Sequence, residues 1–340
     1  MEATATEPVT RRIWDRVGYV GLLLITAIII VLVFYFVDSL QTQAVLASAI
    51  RQSTPLILGA LCGLLGERTG VINIGIEGQM LTGAFVAFLV NVYTSNLILG
   101  IFAGVLTGMF LGSFLAFMSV TLKMDQIIGG TVINILAIGL TGFFYVGGLS
   151  TEGKLRPILI PFLSDLPLVG KVFFSWPPIT YIAIILVFVL QYVLFHTRWG
   201  LRSRSVGEHP SAADTVGINV FRMRYINVSL AGGLAGLAGA FLTLEAVGSF
   251  ERGMTNGRGF VALAVMIFGR WTPLGAWGAA LLFGLALALT TQFQFMGIDI
   301  PHQFTGMFPY LLTIIVVALT GLYGHYRPPA AIGQPYETEG

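Results

Sequence analysis

Polar and charged residues in this chain sit in short gaps between long apolar runs. A helix needs about 20 apolar residues to cross the hydrocarbon of a bilayer. Runs of that order recur near 19–37, 43–65, 71–92, 96–120, 125–147, 178–195, 226–247, 273–292 and 305–322. A further run, 259–269, is too short to cross alone and is expected to pair with the following run across the Gly269-Arg270-Trp271-Thr272-Pro273 break. The runs are continuous, unlike the alternating segments of about ten residues in an outer-membrane barrel. The pattern therefore predicts an all-α integral membrane protein of about ten transmembrane helices, some broken or re-entrant. Arg51 and Pro55 predict a kink or local unwinding in the second run.

Composition agrees. Of 340 residues, 56% are hydrophobic and 10% charged, with a mean hydropathy of +0.85, whereas soluble domains carry roughly 25% charge. The 42 glycines fit close helix packing in lipid, and the run 231–240 places Gly232 and Gly236 at the spacing such packing uses. The single cysteine, Cys62, cannot form an intrachain disulfide. His196, His209, His302 and His325 show no metal-ligand spacing. The apolar run 19–37 exceeds the core of a signal peptide and is read as a retained span.

Orientation follows the distribution of lysine and arginine. With the N-terminus inside, Arg11, Arg12, Arg16, Arg68, Lys123, Arg198, Arg202, Arg204, Arg222, Arg224, Arg270 and Arg327 fall on the cytoplasmic side, against Lys154, Arg156, Lys171, Arg252 and Arg258 outside. The expected layout is a cytoplasmic tail at 1–18, a membrane domain at 19–325 and a cytoplasmic tail at 326–340. An outer loop at 149–176, rich in proline, is expected to form a short cap. An inner loop at 196–225 carries five arginines and a short surface helix that opens at Pro210 and stops at Gly217.

The stretch Glu67 to Met80 concentrates two carboxylates, an arginine, two amides and several glycines between apolar runs. Such a mixture survives at membrane depth only where it is buried in protein or lines a wet cavity. Asn73, Glu77 and Gln79 are candidates for contact with a polar ligand along a translocation path. For Glu77 the alternative is a pairing with Arg68 or a cap on a helix N-terminus. Asn134, mid-span, is a further candidate, with interhelical hydrogen bonding as its alternative. Phe143, Phe144 and Tyr145 read as interfacial anchors or as a clamp for a planar ring. Glu67-Arg68-Thr69-Gly70 is echoed by Glu251-Arg252-Gly253-Met254 on the opposite side, a weak mark of an inverted repeat.

No phosphate-binding Gly-x-x-x-x-Gly-Lys loop, His-Glu-x-x-His or Gly-x-Ser-x-Gly is present. Intramembrane carboxylates are too few for a proton relay. The chain is thus not expected to be an enzyme, and its energy source is expected on another polypeptide. A gradient-driven secondary carrier is the rival of a different class, and nothing suggests nucleic-acid binding.

Two stretches, Val71 to Met80 and Val206 to Asn219, resemble the bacterial ABC importer permeases for nucleosides, within a group that includes permeases for ribose and, more distantly, branched-chain amino acids. The resemblance implies a multi-pass cytoplasmic (inner) membrane subunit, with both termini cytoplasmic, moving nucleosides by alternating access. It implies a second permease, identical or different, a cytoplasmic ABC ATPase that holds ATP and Mg, and an extracytoplasmic substrate-binding lipoprotein, with no cofactor on this chain. It makes Glu208, His209, Pro210, Ala212, Ala213, Asp214 and Gly217 the coupling helix that docks on the ATPase. Sugar permeases of the group carry an aspartate-bearing motif where this chain has Asn73 and Glu77-Gly78-Gln79, which favours nucleosides over free sugars.

Overall fold

The computed structural model describes residues 38–164, 166, 169–295 and 328–337, with isolated positions 307, 311 and 314. The predicted 19–37 span, the 1–18 tail and nearly all of the 305–322 span lie outside them. Seven described helices are long and apolar enough to cross a membrane. They are α1 (Ser39–Glu67), α2 (Ile76–Thr94), α3 (Leu97–Ala116, continued by a π turn at Phe117–Thr121), α4 (Gln126–Phe143), α6 (Pro178–His196), α9 (Val220–Ala240, continued by a π turn at Phe241–Val247) and α11 (Pro273–Phe295). The short 259–269 run is α10 (Arg258–Phe268). Of the ten runs read as spans, the described residues thus hold seven long helices and one short one.

Side-chain caps fix several helix starts. Asp38, Asn96, Asp125 and Asn219 each accept from backbone amides of the first turn, which satisfies donors the helix itself leaves open. The predicted unwinding at Pro55 does not occur. The helix α1 is continuous through it, and the Ser53 and Thr54 hydroxyls donate to the Ile50 carbonyl in the turn just before the proline. The outer loop does form a small structured cap: β1 (Ile158–Leu159) pairs antiparallel with β2 (Ser175–Trp176), with the short helix α5 (Val169–Phe173) between them. The inner loop holds more helix than its sequence suggested, namely α7 (Arg198–Glu208), α8 (Pro210–Thr215) and the start of α9.

Two packing modes organise the bundle. Helix α1 is central, buried along residues 53–67 and packed by α9, α10 and α11. Helices α3 and α9 meet along glycines. A Cβ built on Gly232 would stand 2.1 Å from the Gly108 carbonyl oxygen, and one on Gly236 2.1 Å from that of Gly104. No side chain fits there, so the backbones touch directly, as close helix packing in lipid requires. Phe102, Leu106 and Phe110 cover another face of α3 and are exposed, as a lipid-facing surface would be.

Candidate functional site

Between α1 and α2 a turn at residues 68–70 ends the helix, and the backbone stays non-helical through residue 75. Gly70 has a φ of +85°, a left-handed conformation that favours glycine. Its polar groups are met from across the fold: the Ile72 amide donates to Gln126 Oε1 at 2.6 Å. Asn134 straps the break from α4, its Oδ1 accepting from the Gly78 amide at 2.7 Å and its Nδ2 donating to the Ile74 carbonyl at 3.0 Å. Asn73 and Gln79 are fully buried beside Cys62; Asn73 Nδ2 donates to Gln79 Oε1 at 3.0 Å and to Cys62 Sγ at 3.4 Å. Asn73 Oδ1 and Gln79 Nε2 remain buried without a hydrogen-bond partner.

Glu77 joins two broken elements. Its Oε1 accepts from the Gly257 amide at 2.8 Å and its Oε2 from the Gly259 amide at 2.6 Å. These are the first amides of α10, so the carboxylate sits where the N-terminal ends of α2 and α10 converge and two positive dipole ends favour it. The approach is tight: a Cβ on Gly259 would lie 2.5 Å from the Glu77 amide nitrogen.

Beside this junction, sixteen residues along α1 from Glu67 and hence about 24 Å from that end, lies a cavity of about 260 Å³. Its polar lining is Arg51 and Gln52 from α1, Glu251 from the α9–α10 loop and Arg258 at the start of α10; Pro55, Phe241 and Met254 supply apolar surface. Arg258 is held by donation to the Met254 and Thr255 carbonyls. Glu251 accepts from the Tyr145 hydroxyl at 3.1 Å. That bond raises the phenol above its ordinary range, because losing its proton would forfeit the hydrogen bond beside a carboxylate.

At the other end of the molecule the 196–225 loop is tied to the C-terminal segment. His209 caps α8 by its backbone position, Pro210 occupies its first turn, and Gly217 ends it with a φ of +81°. Ala213 is buried against Val206, Val220 and Tyr336. Asp214 Oδ2 accepts from the Tyr336 hydroxyl at 2.7 Å, and Glu208 Oε2 from the Ala330 amide at 3.2 Å. Between α8 and residues 330–334 runs a cleft of about 500 Å³ edged by Pro210, Ser211 and Ala212.

The family described as branched-chain amino acid transport system / permease component matches residues 45–317. The chain belongs to that family. It is 41% identical over 315 residues to the guanosine ABC transporter permease protein NupQ of Bacillus subtilis, covering 88% of this chain and 98% of that one. It is 40% identical over 308 residues to the nucleoside ABC transporter permease protein NupC of Lactococcus lactis, covering 86% and 96%. The putative glucose ABC transporter permease protein TsgC13 of Haloferax volcanii is 36% identical over 320 residues, covering 86% and 97%. No solved structure matches.

In this permease the four pathway candidates Asn73, Glu77, Gln79 and Asn134 gather around one break. Their hydrogen bonds are to protein, and none lines the cavity. Glu77 takes the cap role, on α10 and not with Arg68. The cavity-lining Arg51, Gln52, Glu251 and Arg258 were not among the candidates. Arg51 and Gln52, an adjacent polar pair inside an apolar run, were the available signal; Arg258 and Glu251 counted only for orientation and for the echoed motif.

Proposed function

We propose that this permease is the membrane-spanning subunit of an ATP-driven ABC importer for nucleosides in the cytoplasmic membrane. The observation that supports it most is the polar cavity beside the Glu77 junction, in a chain 41% and 40% identical to permeases described for guanosine and nucleosides. Guanidinium, amide and carboxylate groups suit ribose hydroxyls and base edges, while Phe241 and Met254 offer apolar surface to a planar ring. In alternating access the two helix ends at Glu77 part and re-form, and Asn73, Glu77, Gln79 and Asn134 meet the pathway when they do. The echoed segments before α2 and α10 are then counterparts in an inverted repeat.

The mechanism needs partners. The coupling helix, with Glu208, His209, Pro210, Ala212, Ala213, Asp214 and Gly217, docks on a cytoplasmic ATPase that supplies ATP and Mg, and both termini lie on that side. A lipoprotein outside delivers the nucleoside. The second permease is a different chain. In B. subtilis, L. lactis and H. volcanii this sequence matches one permease at 36–41% identity and another at 24–27%, the pattern expected when two diverged subunits work together.

Vesicles carrying the full transporter test the proposal by ATP-dependent uptake of radiolabelled adenosine, uridine and ribose. Vanadate-sensitive nucleoside uptake is expected. Ribose or glucose uptake in its place would transfer the assignment to sugars, the reading favoured by the relative described for glucose. Gradient-driven uptake by this chain alone would end the ABC assignment.

A further inference from the structure

Arg224, one turn inside α9, is 1% exposed. Among the described residues it forms no ion pair with a carboxylate. Its Nε donates to the Thr69 carbonyl at 3.2 Å, its Nη1 to the Gln334 carbonyl at 2.9 Å, and its Nη2 is buried without a hydrogen-bond partner. Holding a cation out of water against neutral carbonyls is costly, so a stability role alone accounts for it poorly. What the side chain does is bridge three segments. It belongs to the helix that continues the 196–225 loop. Thr69 lies in the turn that leads into the 70–75 break. Gln334 lies in the segment 328–337, which grips both: Ala331 N donates to the Gly207 carbonyl at 2.9 Å, Gly333 N to the Gly70 carbonyl at 3.0 Å, and the Tyr336 hydroxyl to Asp214.

The chain of contacts continues. Glu67 accepts from Trp271 Nε1 at 2.6 Å, and Arg68 donates twice to the Trp271 carbonyl. Trp271 sits in the turn at one end of α10, and Glu77 holds the other end. A displacement of α8 thus has a continuous route of directional bonds to the junction beside the cavity.

We propose that Arg224 and the segment Pro328–Glu337 are positioning elements that carry motion of the α7–α8 loop to the break at Glu77. The proposal rests on the importer reading above and adds the C-terminal segment as a working part. Lysine at 224 keeps the charge, but a point donor on a flexible stem cannot span two carbonyls as the guanidinium fork does. Phenylalanine at 336 deletes only the hydroxyl that reaches Asp214.

The test uses the complete reconstituted transporter. Co-purification of the ATPase, ATP hydrolysis and nucleoside uptake are measured together, and the readout is molecules moved per ATP. Arg224→Lys is expected to retain the ATPase and hydrolysis but to lower that ratio about tenfold, and Tyr336→Phe about fivefold, within the usual span of coupling between sites. Uptake and hydrolysis falling in proportion, with the ratio unchanged, would show a structural role only and overturn the proposal. Should Arg224→Lys fail to assemble, Tyr336→Phe decides by the same ratio. Absence of ATP-dependent uptake in the wild-type complex would instead defeat the importer reading itself.

Discussion

Between α3 and α9 the chain meets itself with no side chain in the way, whereas around Glu77 it meets itself through side chains. In the glycine seam, carbonyls and Cα atoms of Gly104, Gly108, Gly232 and Gly236 touch, and nothing there can rotate to a second arrangement. At the Glu77 junction, one carboxylate from α2 and one amide side chain from α4 hold the backbone at the starts of α2 and α10 by discrete hydrogen bonds. Discrete bonds can break and re-form in another geometry, while a backbone seam can only separate. The difference assigns the seam to the rigid frame and the junction to the moving part.

The largest effect separating the two is expected at the seam. Gly232→Leu places a side chain where a Cβ alone would already stand 2.1 Å from a carbonyl oxygen. Such overpacking with no room to relax falls at the severe end of single substitutions, about 4 kcal/mol or more, and loss of the folded, detergent-soluble protein is the expected result. A normal thermal midpoint for that variant would show that the seam is free to open. Next comes the junction. Glu77→Gln keeps the shape but turns an NH2 group toward one of the two amide donors. A charge-assisted bond is lost and a donor left unmet, about 2–3 kcal/mol. The protein is expected to fold with a lowered midpoint, and transport is expected to fall further than stability. Asn134→Ala, which orphans the Gly78 amide and the Ile74 carbonyl, is expected to cost about 1–3 kcal/mol in the same assay. Equal losses at seam and junction would erase the distinction.

Much of this frame was legible along the chain and little of the junction was. The apolar runs placed the long helices, Pro210 and Gly217 bracketed α8, and the stretch Glu67 to Met80 marked irregular backbone. Partners were another matter. Glu77 is capped onto residues 180 and 182 positions away, and Gln126 meets Ile72 from 54 away; one sequence carries no signal for such pairings. Helix α7 was missed because its arginines break the apolar period without breaking the helix. Residues 328–337 read as a tail because proline, glycine and polar residues predict no element, yet backbone groups there bond to Gly207 and Gly70. The cavity combines Arg51 with Arg258, which only the fold places together.

A smaller effect sharpens the comparison from the cavity side. Arg51 is exposed and lines the cavity without a hydrogen bond to the described residues, so Arg51→Ala is expected to change stability by no more than about 0.5 kcal/mol, as for surface changes, and to leave the thermal midpoint nearly unmoved. If it meets the ligand, the KM for nucleoside uptake rises about tenfold, equivalent to about 1.4 kcal/mol. A changed midpoint with an unchanged KM would make Arg51 part of the frame and remove it from the pathway.

The smallest effect tests whether the C-terminal segment is a held part of the molecule. Glu337 pairs with Lys123, and the hydrogen bond to that ammonium, followed by its charge, holds the carboxyl below its ordinary value of 4.5. A carboxyl with a lowered pKa in the folded state stabilises that state above its unfolded value and loses the contribution as pH falls through the folded one. Both groups are exposed, so the pair contributes little and is screened by salt. Hydrogen exchange of the amides in 328–337, compared between wild type and Glu337→Gln at each pH, removes the intrinsic pH dependence. Wild-type protection is expected to exceed the variant's near pH 6 and to converge with it below about pH 4. Because Tyr336–Asp214 and Arg224–Gln334 persist, the segment stays docked and the difference remains modest. Protection that vanishes throughout the segment in Glu337→Gln would mean that a surface ion pair, and not the buried Arg224 bridge, holds it in place.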